Sequence, residues 1–183
     1  MTEKASVSWS RACLQVYTGN GKGKTTAAFG LALRAAGRGL KVFIGQFMKG
    51  SEYGELEGVR FLRGLVDIEQ FGSPSCIPLR DVPKPEDVAL ARAGLERCKE
   101  MLAGGQYRIV ILDEINVAVH FGLLPLADVL ALVDGRPSDV ELVCTGRYAR
   151  PELVERADLV TEMRDVRHYY DTMGLAARDG IER

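Results

Sequence analysis

The 183-residue chain has no C-x-x-C pair, two histidines, one tryptophan and a net charge of only −1. Each scarcity removes a class of function. Cys13, Cys76, Cys98 and Cys144 lack metal-ligand spacing, which excludes a zinc module; a reduced, cytoplasmic setting is the expectation. His120 lies in the apolar segment 117–124 and reads as a packed residue, and His168 has no second His or Cys near it. No serine or cysteine nucleophile is accompanied by a placed histidine, so covalent acyl chemistry is excluded. The near-zero charge argues against a nucleic-acid partner, which normally meets a basic face. No apolar run approaches the roughly 20 residues that span a bilayer, and Met1 to Arg11 has no signal-like core, so no membrane association is expected.

What is present is concentrated in one place. Thr18-Gly19-Asn20-Gly21-Lys22-Gly23-Lys24-Thr25-Thr26 follows an apolar strand, Cys13 to Tyr17, and leads into an alanine-rich helix, Thr25 to Arg38. Glycines let backbone N–H groups turn toward an anion, the helix start adds its positive dipole end, and Lys24 reaches phosphate. Thr25 is placed to offer its hydroxyl to Mg²⁺. Thr18 stands where the general phosphate-loop pattern wants glycine, and Lys22 is an additional cation.

Strand-like and helical runs alternate along the rest of the chain. Strands are expected at Lys41 to Phe47, Val66 to Phe71, Arg108 to Leu112, Val140 to Cys144 and Leu159-Val160, with a further short candidate at Phe61-Leu62. Helices are expected at Glu86 to Ala103, Pro125 to Val133 and Pro151 to Ala157, and in the tail near Leu175 to Arg178. Pro74 to Pro85 carries four prolines and reads as irregular. The fold class is therefore α/β: a P-loop (RecA-like), mainly parallel sheet flanked by helices, in a single domain over residues 13–183. Residues 1–12 form a preceding segment, read as either flexible or covering the site with Trp9.

Asp113 and Glu114 end the strand RIVIL, where ligands gather outside the carboxyl ends of a parallel sheet. Either carboxylate can join Thr25 in holding Mg²⁺, or Mn²⁺ in its place; Asp113 is the first choice for the direct ligand. Gln46, Lys49 and Glu55 follow the second strand, where Lys49 suits phosphate and Glu55 a ribose hydroxyl or the metal; the same residues also suit a solvated loop. Arg147 ends another strand and can fork onto phosphate or sit at the surface. Asn116 orders its loop or contacts substrate. Lys22, Lys24, Lys49 and Arg147 together would make a local basic funnel.

TGNGKGKTTAA (18–28), QFMKG (46–50) with Gly54-Glu55, ILDEINVAVHFGLLPL (111–126), TGRYARPELVERADLVTEM (145–163) and RHYYDTMGLAARDGIE (167–182) occur in one order along the chain. In these blocks the chain resembles the ATP:corrinoid adenosyltransferases of the phosphate-loop type. The resemblance implies that a reduced corrinoid attacks the 5′-carbon of ATP and releases triphosphate, in cobalamin biosynthesis or salvage. It also implies a flavoprotein reductant and a homodimer. Lys22 and Lys24 would stabilise the departing triphosphate with Asp113 and Glu114 near the metal, and no general base is needed. The chain departs from the family pattern at Tyr148, where a small or polar residue is usual, and in Gly72 to Pro85, which lacks a tryptophan. The competing readings are a kinase or ATPase acting at the γ-phosphate, with Glu114 as base, and a non-catalytic module switched by ATP.

Overall fold

The computed structural model describes residues 9–62, 64–73 and 82–182. The apolar runs become β1 (Leu14–Thr18), β2 (Val42–Phe47), β3 (Val66–Phe71), β4 (Ile109–Asp113), β5 (Glu141–Thr145) and β6 (Leu159–Glu162). The helices are α1 (Lys24–Gly37), α2 (Gly54–Arg60), α3 (Pro85–Ala103), α4 (Ile115–His120), α5 (Leu126–Asp134), α6 (Pro151–Val154) and α7 (Tyr169–Met173). The strands form a six-stranded sheet in the order β3-β2-β4-β5-β1-β6, and every pairing is parallel among the described residues. An α/β architecture with a parallel sheet is what the alternation of runs predicts.

Successive strand residues point to opposite faces, and here both faces are covered, so the central strands are apolar throughout. Phe43, Phe47, Val110, Leu112, Leu142 and Cys144 pack with Leu95, Cys98 and Leu102 of α3 and with Val129, Leu132 and Val133 of α5. Val42, Ile44, Ile109, Ile111 and Val143 face the other way, onto Ala28, Ala32 and Ala35 of α1 and Val59 of α2. The alanines recur at helical spacing and let α1 lie close against the sheet behind its glycine-rich entry. Burial pushes the Cys98 and Cys144 thiols up, that of Cys144 to about 12, so both behave as apolar filler.

Three local expectations are corrected. Phe61-Leu62 is no strand but the turn that closes α2, with Phe61 exposed. The helix expected over 151–157 is the single turn α6 followed by a turn. The tail helix lies earlier than expected, at α7, because Gly174 adopts φ 63 and stops it; Leu175 to Arg178 is not helical. Trp9 stacks over Arg108, which immediately precedes β4, and Ala12 N–H donates to Ser138 O. The segment 9–12 thus packs at the amino ends of the strands, opposite the glycine-rich loop. Residues 1–8 of the amino-terminal segment, and Cys76 with residues 74–81 of the proline-rich stretch, lie outside the described residues. No helix among the described residues is long and apolar enough to cross a membrane.

Candidate active site

The carboxyl ends of β1, β2, β4 and β5 converge because β5 lies between β1 and β4, and β2 borders β4. The pairing aligns Gln46 with Asp113 and Tyr17 with Thr145. Among the described residues three non-glycine residues have positive φ, and all follow these strand ends: Met48 (59°) after β2, Glu114 (62°) after β4 and Tyr148 (64°) after β5. Such left-handed conformations cost of order 1–3 kcal/mol each and persist where the surroundings impose them. The chain leaves three of its strands through strained turns, all on the side that carries the cavity.

That cavity has a volume of about 690 Å³, within the range of small-molecule sites. Gly21 to Thr26 form one wall, joined by Lys49, Glu55, Glu114 and Arg147. The four cations expected to form a funnel, Lys22, Lys24, Lys49 and Arg147, all line it. Gly19, Asn20, Gln46, Asp113 and Asn116 do not. Asn20 is exposed, Gly19 is turned toward the carboxyl-terminal segment, and the other three are buried behind the wall.

Asp113 is fully buried and uses both oxygens twice. Its Oδ1 accepts from Thr25 Oγ1 at 3.0 Å and Thr145 Oγ1 at 2.7 Å. Its Oδ2 accepts from Lys49 Nζ at 3.0 Å and Gln46 Nε2 at 3.2 Å. Gln46 in turn receives Gln70 Nε2 and donates to Glu55, so the carboxylate anchors a network that reaches β3. Because the Thr25 hydroxyl gives its proton to Asp113, its oxygen lone pairs are left for the cavity. Thr145 receives the backbone N–H of Glu114 at 3.0 Å and so braces the strained turn. Asn116 Nδ2 donates to Gly146 O and fixes the loop that carries Arg147.

The charges follow from this burial. Burial pulls Lys24 below its ordinary value, with Arg147 acting in the same direction against Glu114 and Asp113. Lys24 Nζ donates to Gly19 O at 2.8 Å and Gly21 O at 2.6 Å. Burial also disfavours charge on Lys49, but Asp113 and Glu55 outweigh it and raise the lysine. Glu114 is raised by burial and by the neighbouring Asp113 charge, against Lys49, Lys24 and Arg147.

The carboxyl-terminal segment is the part of the site that local sequence reasoning missed. Gly21 N–H donates to Met163 O at 2.7 Å, and a β-carbon on Gly21 would lie 2.7 Å from the Arg164 carbonyl carbon. One on Gly19 would lie 2.4 Å from Met163 O. These two glycines admit the backbone after β6 against the back of the loop, a packing role distinct from turning N–H groups toward an anion. His168, Gly180, Ile181 and Glu182 line the cavity from the same segment. Thr145 was within reach of the strand-end argument that found Arg147; no local signal marks Tyr169 or Glu182. His120 is exposed, and its ring stacks on Tyr148 with centroids 4.0 Å apart.

A parallel sheet with a cation-lined cavity at its strand ends, entered by a lysine-bearing glycine loop and helix, defines a nucleotide-binding protein of the phosphate-loop class. The family model for ATP:corrinoid adenosyltransferase BtuR/CobO/CobP matches residues 10–183. The chain is 39% identical over 173 residues to a corrinoid adenosyltransferase of Pseudomonas aeruginosa, covering 94% of this chain and 84% of the relative. It is 37% identical over 172 residues to that of Escherichia coli, covering 94% and 86%. It is 36% identical over 172 residues to the corrinoid adenosyltransferase CobA of Salmonella typhimurium, again covering 94% and 86%. The chain belongs to the ATP:corrinoid adenosyltransferase family. It is a transferase of that kind, with ATP and a corrinoid as substrates, which sets aside the kinase, ATPase and binding-module readings.

Proposed function

We propose that the cavity at the strand ends takes the polyphosphate of ATP and presents the ribose 5′-carbon at its mouth to a reduced corrinoid. The observation that carries this reading is the convergence of Lys22, Lys24, Lys49 and Arg147 on a cavity walled by residues 21–26. In the step, the cobalt electron pair forms the cobalt–carbon bond. The bond between the 5′-carbon and its oxygen breaks, and its electrons leave with triphosphate. Lys24 and Arg147 stabilise the growing negative charge, and the helix start of α1 adds its dipole. Among the described residues Arg147 forms no hydrogen bond or ion pair, so its guanidinium is available for a phosphate fork. Alignment of the 5′-carbon with the cobalt supplies the rest, as no proton has to move.

The donor set suits a divalent cation of the Mg²⁺ or Mn²⁺ kind. No group of three His, Cys, Asp or Glu side chains among the described residues is placed to enclose a metal ion. Hard oxygen donors do line the cavity, the Thr25 hydroxyl and the Glu114 carboxylate, and Mg²⁺ typically binds one or two such groups plus substrate phosphates. These two residues would hold the ion, which would neutralise charge on the leaving polyphosphate. Asp113 acts through Thr25, whose hydroxyl it orients.

Incubation with Mg-ATP and a reduced corrinoid tests the whole reading. Triphosphate and a light-sensitive alkylcobalt product are expected; ADP with phosphate, formed without corrinoid, would refute it. The finer assignments are cobalamin biosynthesis or salvage in the cytoplasm, a flavoprotein as reductant, and a homodimer. Exposed apolar side chains on β6 (Leu159, Val160) and α7 (Tyr170, Met173) support a second copy, and a monomer by sedimentation at micromolar concentration would contradict it.

A further inference from the structure

Lys22 does not face the cavity unengaged. An ammonium has three protons, and Lys22 Nζ has three acceptors, all on the carboxyl-terminal segment. They are Glu182 Oε1 at 2.9 Å, Ile181 O at 3.0 Å and Tyr169 Oη at 3.3 Å. The other cavity cations differ. Lys24 is held by two backbone carbonyls, which carry no net charge, and Lys49 is paired with Asp113 and Glu55 beneath the wall. Lys22 alone among these four has its counter-charge on the tail.

The carboxylate of Glu182 is fixed independently of the lysine. Tyr169 Oη donates to its Oε1, Arg178 N–H donates to its Oε2 at 2.8 Å, and the Arg178 guanidinium lies 3.3 Å from Oε1. If Lys22 leaves, Glu182 keeps a countercharge and two further donors, and it stays in place. Both partners line the cavity, and the lysine is partly open to solvent, so the exchange exposes no buried charge. This is an ion pair that can open cheaply toward a competing anion.

We propose that Glu182 is a resident anion that competes with polyphosphate for Lys22, so that the carboxyl-terminal segment governs release of the triphosphate product. The inference rests on the reading that the cavity takes the polyphosphate. On nucleotide entry, Lys22 moves from Glu182 to a phosphate oxygen. After the carbon–oxygen bond breaks, the product is a free polyanion in a cationic cavity and would leave slowly. Glu182 reclaims Lys22 and lowers the affinity for it. Glu182 is thus a positioning residue that acts through Lys22.

The test is calorimetric binding of inorganic tripolyphosphate with Mg²⁺ to the full chain. Glu182→Gln keeps the shape and, with its carbonyl oxygen in the Oε1 position, still accepts from Tyr169; it removes the charge and gives up the Arg178 N–H contact at Oε2. It should bind tripolyphosphate about two- to fivefold tighter, the range for removing one competing, partly exposed ion pair. Tripolyphosphate should inhibit its turnover at correspondingly lower concentration. Glu182→Ala should shift in the same direction and Glu182→Asp should stay near wild type. In a Lys22→Ala background, Glu182→Gln should change nothing, since the two act as a unit. Equal or weaker binding by both the Gln and Ala variants, or a gain that survives without Lys22, would overturn the proposal. If wild type bound no tripolyphosphate, the cavity reading itself would fall with it; if wild type bound and the variants did not tighten, only this inference would.

Discussion

Replacing Asp113 separates its two duties, because its oxygens divide them. Oδ2 serves Lys49 and Gln46; Oδ1 serves Thr25 and Thr145. Asp113→Ala leaves Lys49, whose side chain is only 14% exposed, with Glu55 at 3.3 Å as its remaining countercharge, and leaves Gln46 one acceptor short. Breaking a buried pair from one side costs about 3–5 kcal/mol, and the Glu55 contact brings the loss toward the lower end. Asp113→Asn behaves differently. With its carbonyl oxygen in the Oδ2 position, Asn still accepts from Lys49 and Gln46, and the loss is that of charge assistance, about 1–2 kcal/mol. Its NH₂ group in the Oδ1 position must donate to Thr25, which reverses that hydroxyl and occupies the lone pair meant for the cation. Denaturant midpoints should therefore rank wild type, Asn, Ala. In adenosyl transfer, the Asn variant should need more Mg²⁺ for half-maximal rate although it is folded. A wild-type metal titration in Asp113→Asn, or an Ala variant that loses under about 1 kcal/mol, would refute the assignment.

Three further outcomes follow from geometry. Gly21→Ala pushes a methyl into the Arg164 carbonyl and stretches the bond to Met163 O; overpacking and a weakened hydrogen bond should cost about 2–4 kcal/mol in unfolding experiments. Unchanged stability with weaker nucleotide binding alone would show that the glycine serves phosphate instead. Glu114 is raised in the folded protein, so the native state holds more protons than the unfolded chain above the ordinary carboxyl value of 4.5. Its burden is absent below that value, grows as pH rises through the raised one, and is complete above it. Glu114→Gln, melted without divalent metal, should be more stable than wild type at about pH 8 and no different at about pH 4, while losing transferase activity; a pH-independent difference would contradict this. Tyr148→Ala keeps the strained φ and loses the stack on His120, so it should cost about 0.5–1.5 kcal/mol, whereas Tyr148→Gly should recover part of that by relieving the backbone. An Ala variant as stable as wild type would mean the stack contributes nothing.

The sheet was legible because its strands are buried on both faces and read as unbroken apolar runs, such as Arg108 to Leu112. The missed elements are those whose own residues argue against them. Gly54 and Gly58 weaken the propensity of α2, and α4 starts directly after a left-handed Glu114. At the site, local motifs led to Lys22, Lys24, Thr25, Asp113, Glu114, Lys49 and Arg147. They could not show that Asp113 lies behind Thr25, or that Lys22 is engaged by Glu182 from 160 positions away. Nor could they show that Gly19 and Gly21, read as turning N–H groups toward an anion, also pack against the backbone after β6. Adjacency of that kind is written in no short window of sequence.

The buttress behind the loop has a bearing on synthesis. β1 is among the first elements made, yet its two sheet neighbours, β5 and β6, and the backbone at Met163 and Arg164 that props the glycines, are among the last. A nascent chain still lacking its final quarter therefore carries the complete nucleotide signature without the scaffold that shapes it. On the reading that this loop holds polyphosphate, its glycines gain their support only once Met163 and Arg164 have been made.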